Sequence, residues 1–210
     1  MLRRFILPLL AALLSIPVMA QATPWKIDPN HSSVRFEIRH FFSKVQGQFN
    51  QLSGTIEYDP ANPTSSKVET KIVATSIDTN NEKRDNHLRS ADFFEVEKYP
   101  ELSFTSTKVE TAKDGLKVTG DLTLHGVTKP VVLDVIVMGM GPHPNIPEGK
   151  VAGFSARTKI NRHDFGIKWN KVFDNGDSLL GDDVDISLEI EAVNAPPKPE
   201  ASETPAKSGK

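Results

Sequence analysis

Residues 116–126 read LKVTGDLTLHG, with Leu116, Val118, Gly120, Leu122 and Leu124 alternating against Lys117, Thr119, Asp121 and Thr123 until the turn pair His125-Gly126. A helix would bring back its apolar residues every three or four positions, so this strict period of two describes a strand with one buried face. The pattern recurs on both sides. Val34, Phe36 and Ile38 alternate with Arg35, Glu37 and Arg39, and Val184, Ile186, Leu188, Ile190 and Ala192 alternate with Asp185, Ser187, Glu189 and Glu191. Further strands are expected at 25–28, 45–58, 68–77, 102–112, 130–140 and 151–161, giving eight or nine antiparallel strands. Asp59-Pro60, Asp114-Gly115, His125-Gly126, residues 142–149 and Asp174-Asn175-Gly176 supply turn chemistry between them. An all-β chain of such one-faced strands suits a closed up-and-down barrel better than a sandwich, which stays as the alternative.

Two departures from the alternation carry information. The apolar parity slips between Phe49 and Leu52, as a β-bulge would cause. From 131 to 138 both faces are apolar apart from Asp134, which predicts a strand packed inside the barrel and under a covering element outside.

The one helical stretch is an insertion near 78–100. Thr79 and Glu82 have capping-box spacing, and Ser90 could cap a second short turn carrying Asp92, Phe93 and Phe94. Within it, 84–94 reads RDNHLRSADFF. Leu88, Phe93 and Phe94 ask for apolar contact while Arg84, Asp85, His87 and Arg89 ask for polar partners, as a lid over a hollow would.

The ends read differently from the body. Arg3-Arg4, an apolar run over 5–18 and Ala20-Gln21-Ala22 have the order of a Sec-type signal peptide, with cleavage expected after Ala22 and residues 1–22 removed. The run is shorter than the ~20 residues that cross a bilayer, so no stable membrane anchor is expected. Residues 195–210, with four prolines among Ala, Glu, Ser and Lys, read as a disordered tail. The body, 23–194, is long enough for one domain with a real core.

The chain has 25 Lys+Arg against 27 Asp+Glu, a net charge of −2; without Arg3, Arg4 and the tail's three lysines and two glutamates the body holds 20 against 25. A mildly acidic body offers no broad footprint for nucleic acid. Zero cysteines remove thiolate catalysis, disulfides and thiolate metal sites. The six histidines include no pair at i, i+2 or i+4, so neither a metal site nor a cofactor is expected. The acidic run Asp174, Asp177, Asp182, Asp183 and Asp185 lacks the spacing of a calcium loop and reads as a solvated edge.

Five blocks appear in order: Asp28-Pro29-x-His31-Ser32-x-Val34-x-Phe36-x-Ile38-Arg39-His40; Val45-x-Gly47-x-Phe49; Asn81-x-x-Arg84-Asp85-x-His87-Leu88-Arg89-Ser90-x-Asp92-Phe93-Phe94 with Tyr99-Pro100; Gly120 to Val131; and Gly153-Phe154-x-Ala156 with Arg162-x-Asp164-Phe165-Gly166. Together they resemble the YceI-like, polyisoprenoid-binding family over about residues 25–193. The resemblance implies an extended lipocalin-like eight-stranded β-barrel, exported to the periplasm, that holds a long isoprenoid lipid such as a polyprenyl phosphate or isoprenoid quinone in a central tunnel, with a stress-related role.

The residues fit such a ligand without requiring it. An apolar tunnel wall is expected from Phe36, Ile38, Phe49, Phe93, Phe94, Leu102, Phe104, Leu122, Leu124, Leu133, Phe154 and Ile160; the same residues could instead fill a solid core. Headgroup contacts are expected from Arg84 and His87, then from Arg162, His163 and Lys168. Asp85 and Arg89, at i and i+4, are expected to pair and brace the helix. No catalytic constellation is visible, so the expectation is a carrier and not an enzyme. The alternatives are an enzyme on a lipid-like substrate using His87 and Asp85, and a filled β-domain that binds a partner. An unpaired edge or apolar outer face would allow a homodimer.

Overall fold

The alternating segments are strands, and one helix interrupts them. A computed structural model describes residues 23–195 except 175; the expected signal segment and, from 196 on, the expected tail lie outside the described residues. The strands are β1 (Thr23–Ile27), β2 (Ser33–His40), β3 (Ser43–Phe49), β4 (Leu52–Tyr58), β5 (Lys67–Val73), β6 (Ile77–Asp78), β7 (Glu101–Ala112), β8 (Gly115–Leu124), β9 (Val127–Pro142), β10 (Lys150–Asn161) and β11 (Leu180–Asn194), with helix α1 at Glu82–Arg89. No helix among the described residues is long and apolar enough to cross a membrane.

Three of the barrel's eight strands are broken in two. β11 pairs with β2 from Leu180 to Glu189 and then with β1 at Ala192 and Val193, so β1 and β2 act as one interrupted strand. β4 and β3 follow on from each other in the same way beside them, as do β5 and β6 beyond those. The order then runs through β7, β8, β9 and β10 back to β11, closing an eight-stranded antiparallel barrel. Closure leaves the long strands without a free edge, which is how an all-β chain avoids open-ended pairing.

Each interruption has its own replacement bonds. Between β1 and β2, Ser32 Oγ takes up both the Glu191 carbonyl (3.2 Å) and the Glu191 N–H (3.0 Å). The parity slip near Phe49 is a break at Asn50-Gln51, which faces a 3-10 turn at Ala74–Ser76: Asn50 N–H donates to the Ser76 carbonyl and Gln51 N–H to Ser76 Oγ, both at 3.1 Å.

That turn also ends the β5–β7 pairing at Val73 and Glu101, so β6 runs on with β3 as its partner strand among the described residues. The helical insertion fills the seam. Its N-cap is Asn81, whose side chain accepts the Arg84 N–H at 3.0 Å; the expected capping box at Thr79 is not formed, because Thr79 is spent on Asp85. Ser90 is the C-cap, and its hydroxyl also accepts the Asp92 N–H of the following turn. The expected Asp85–Arg89 pair is absent. Buried Asp85 accepts from the backbone and hydroxyl of Thr79, while Arg89 donates to the carbonyls of Thr75 (2.9 Å) and Ile77 (2.7 Å). Carbonyls that lost a neighbouring strand are satisfied by a guanidinium instead, as buried backbone groups demand.

Among the described residues, the covering element expected over 131–138 is not there either. Val132, Ile136, Met138 and Met140 stand 44–66% exposed on the outer face of β9, and only Val131, Leu133, Val135 and Val137 turn inward.

Two glycines set the register. His125 and Gly126 both adopt positive φ (52° and 72°), the two-residue hairpin geometry that closes β8 onto β9, and His125 is held there by Nδ1–H donating to the Phe165 carbonyl at 3.1 Å. Gly120 lies under the Phe104 ring, where an added Cβ would sit 2.4 Å from Cζ and 2.6 Å from the Thr105 carbonyl oxygen. Gly120→Ala is therefore expected to destabilise by about 1–3 kcal/mol, read as a melting temperature lower by roughly 2–12 °C; an unchanged transition would show that the ring relaxes freely.

Candidate functional site

The barrel does not fill itself. A cavity of about 580 Å³ runs through it, walled almost wholly by aliphatic and aromatic side chains. That size falls within the roughly 300–1,000 Å³ of small-ligand sites. The wall shows a second sign of hollowness: Val131, Leu133 and Val135 of β9 and Val184, Ile186 and Leu188 of β11 face inward yet are only half-buried, because they border open space and not other side chains. In a solid core packed to crystal density the same positions would be buried.

All twelve residues expected on an apolar wall lie on it. β2 and β3 contribute Phe36, Ile38 and Phe49; β7 and β8 contribute Leu102, Phe104, Leu122 and Leu124; β9 and β10 contribute Leu133, Phe154 and Ile160. Phe93 and Phe94 reach in from the turn after α1, Phe94 meeting Phe49 edge-on at 5.6 Å. At one end Tyr58 meets Phe154 edge-on at 5.4 Å beside Ile27 and Ile190; burial, with Asp59 nearby, pushes the Tyr58 phenol above its ordinary pKa.

At the other end the wall turns polar. Asn81, Lys83, Arg84 and His87 line it from α1 and its N-cap. Arg84 donates through Nε to Thr79 Oγ1 (2.7 Å) and through Nη2 to the Thr79 carbonyl (2.8 Å), so its guanidinium is anchored against the seam at the cavity edge. The His87 ring is gripped between Phe93 (5.0 Å) and Trp169 (4.9 Å), with Nε2 at 2.7 Å from Asp92.

The remaining headgroup candidates are placed differently. Arg162 touches the cavity but is 3% exposed, and its guanidinium donates to the carbonyls of Gly181 (2.8 Å), Ile167 (2.9 Å) and Trp169 (2.8 Å). Burial holds it below the ordinary arginine pKa, with Asp182 opposing. His163 and Lys168 are exposed and take no part in the lining. Trp169 was not foreseen; it sits in the irregular segment between β10 and β11, where no periodicity marks a wall residue, and Ile167 two positions earlier was the one available hint.

Outside the cavity, Asp28, His31 and Glu191 bring one potential ligand atom each within 4.8 Å of one another. Their geometry is satisfied by hydrogen bonding: His31 Nδ1 lies 2.8 Å from Asp28 Oδ2 and 3.6 Å from Glu191, a corner that ties the β1–β2 interruption to β11. The bond to Asp28 raises the His31 pKa, and the bond to His31 lowers that of Asp28, whose field also includes His143. The Asp28 contribution is present above its ordinary 3.8 and is lost as pH falls through its lowered value. The His31 contribution is complete below its ordinary 6.5 and is lost as pH rises through its raised value, so the pair acts between those two limits. An NMR titration is expected to place His31 above 6.5 and Asp28→Asn to return it toward that value; identical titrations would remove the pairing.

Comparison with known proteins follows the same outline. A profile described as a YceI-like domain matches residues 25–192. Protein YceI of Escherichia coli O17:K52:H18 is 44% identical over 177 residues, covering 83% of this chain and 88% of that protein. The crystal structure of the Campylobacter jejuni YceI protein superimposes with a TM-score of 0.63 at 35% identity, over 75% of this chain and 90% of that one. A polyisoprenoid-binding domain from Saccharophagus degradans, implicated in plant cell wall breakdown, shares the fold at 16% identity with a TM-score of 0.55, over 82% of this chain and 98% of its own.

Proposed function

The chain belongs to the YceI-like domain family, and from that premise we propose that it is a binding protein for a long isoprenoid lipid, exported to the periplasm, that performs no catalysis. The observation that carries this reading is the cavity of about 580 Å³ with its continuous apolar wall. Enclosing an isoprenoid tail there removes its surface from water at roughly 25 cal/mol per Å². A narrow hydrocarbon-lined tunnel suits a flexible chain, because the attraction is non-directional and tolerates many conformers of the same tail.

Arg84 and His87 would meet the headgroup. They stand where the wall becomes polar, and Arg84 is held by Thr79 in an orientation that a phosphate or a quinone carbonyl could use. Arg162 lies behind that rim with Nε and Nη1 committed to three carbonyls and Nη2 3.6 Å from Asp182, so its part is to hold Trp169 and Ile167 in the wall. The Saccharophagus domain that shares this fold binds polyisoprenoid, the same ligand class. A stress-related role and the choice between polyprenyl phosphate and quinone belong to the same proposal.

Organic extraction of purified protein followed by mass spectrometry tests it. The expected result is a co-purified isoprenoid lipid near one per chain. Folded protein that carries none, and takes up none from a panel of polyprenols, polyprenyl phosphates and isoprenoid quinones, would overturn the reading.

A further inference from the structure

Two residues, Phe41 and Phe42, make the whole of the turn that joins β2 to β3. The first of a two-residue hairpin turn often takes positive φ, and glycine or asparagine is the residue that takes it without strain. Here Phe41 does so, at φ 53°. Neither ring repays this by joining the core, since Phe42 is 89% exposed and Phe41 37%. A turn chosen only for folding would not place aromatic side chains there, and backbone strain held in an exposed position points outward for its reason.

The rings are not alone. Phe41 packs on Phe42 at 3.8 Å and on Phe173 at 5.1 Å, and Val172 beside them is 63% exposed. The Phe41 N–H donates to the Leu179 carbonyl at 2.7 Å, which fastens the turn to the small hairpin closed by the Val172–Ser178 bridge. Two turns thus present one convex apolar tip. Cavity-lining residues flank it directly: His40 precedes the turn, Ile38 and Val45 form the third pair below it, and Leu179 holds it.

Around the tip the charges cancel. Arg39 is turned onto the carbonyls of Phe41 and Ser178, Lys44 is paired with Glu37, and Lys171 shares its hairpin with two acidic residues, Asp174 and Asp177, so the six charges near the tip sum to zero. We propose that this tip dips into the apolar layer of a lipid bilayer, setting the mouth of the cavity against the membrane so that lipid passes along the barrel end without crossing water. The inference rests on the lipid-binding reading and adds the surface from which the lipid comes. Four side chains on a convex knob are far short of the about 20–30 residues a side of a specific protein interface, whereas exposed aromatic rings enter a bilayer edge one at a time. With no net charge at the tip, the contact needs no anionic lipid.

The test uses the mature chain with phosphatidylcholine vesicles in a flotation assay, beside uptake of solanesol added from ethanol. Phe41→Gly/Phe42→Asn replaces the strained turn by one that favours its own geometry, so the melting temperature is expected to hold or rise. Vesicle binding by this variant is expected to fall about tenfold or more, with solanesol uptake unchanged. Wild-type protein that takes up solanesol but ignores vesicles overturns the docking and leaves the lipid reading in place. Wild-type protein that binds vesicles through the turn but takes up no solanesol sustains the docking and overturns the cargo. Binding that needs anionic lipid and disappears in high salt, or that survives in the variant, overturns insertion and favours a charge-led or protein contact.

Discussion

Arg162→Met is expected to lower the melting temperature by roughly 6–20 °C, the equivalent of about 3–5 kcal/mol in a domain of this size. The arginine lies 3% exposed at the end of β10, where the chain leaves the barrel for a 3-10 turn at Arg162–Phe165. Its Nε and Nη1 reach carbonyls of Gly181, Ile167 and Trp169 at 2.8–2.9 Å, so one side chain joins the end of β10, the irregular 166–179 segment and the start of β11. Methionine has comparable length and apolar bulk but donates nothing, leaving the buried carbonyls of Gly181 and Ile167 and the half-buried one of Trp169 without this partner, each costly. Thermal denaturation measures the loss. Arg162→Lys should recover a fraction, since an ammonium cannot span the geometry of a planar fork. A shift under 2–3 °C for Arg162→Met would mean that water replaces the guanidinium and that Arg162 is free for a ligand after all.

The second large effect concerns the hollow itself. Leu122→Trp should leave the fold standing and empty the barrel of its lipid. Leu122 points inward from β8 and is half-buried because it borders the cavity. An indole there has space to occupy, so the overpacking penalty of a filled core does not apply in full. What it displaces is ligand. If about 60 Å² of tail contact is lost, the cost is about 1.5 kcal/mol, or roughly tenfold in affinity. The expected readings are a melting temperature within a few degrees of wild type and a tenfold fall in co-purified lipid by mass spectrometry. A folded variant that keeps its full lipid load would place the ligand elsewhere.

The alternation of residues was enough to read most of the barrel. Residues 116–124 and 184–192 became β8 and β11 with the faces that their apolar parity assigned, since a strand turned over would bury Lys117, Asp121 or Glu189. The same parity put the ten strand residues of the wall on the inside, while Phe93 and Phe94 reach it from the turn after α1. Parity fails where the backbone is irregular. Trp169 lies on the wall from a segment without repeat, where only the neighbouring Ile167 hints at it. On β9 the apolar outer face suggested a cover, but periodicity records only which residues are apolar and not what meets them.

The charged insertion at 84–94 was the least legible part. Asp85 and Arg89 have the spacing of a helical ion pair, and in isolation that pairing would be the best they could do. In the folded barrel β6 parts from β7, and the backbone groups left along that seam compete for the same side chains. A buried carbonyl or amide without a partner costs more than an exposed ion pair contributes. Arg89 therefore goes to Thr75 and Ile77, Asp85 to Thr79, and Arg84 to Thr79.

By itself, then, the sequence determined that this chain is all-β, which strand residues turn inward and which family it resembles, and it favoured a barrel over a sandwich without deciding it, because period-two burial is a local property that survives any arrangement of the strands. Only the tertiary structure decided that the inside is hollow, that three strands are broken and that the charged insertion closes a seam. Those outcomes depend on barrel circumference and on which backbone groups are left unpaired when the sheet closes, quantities that no single segment contains.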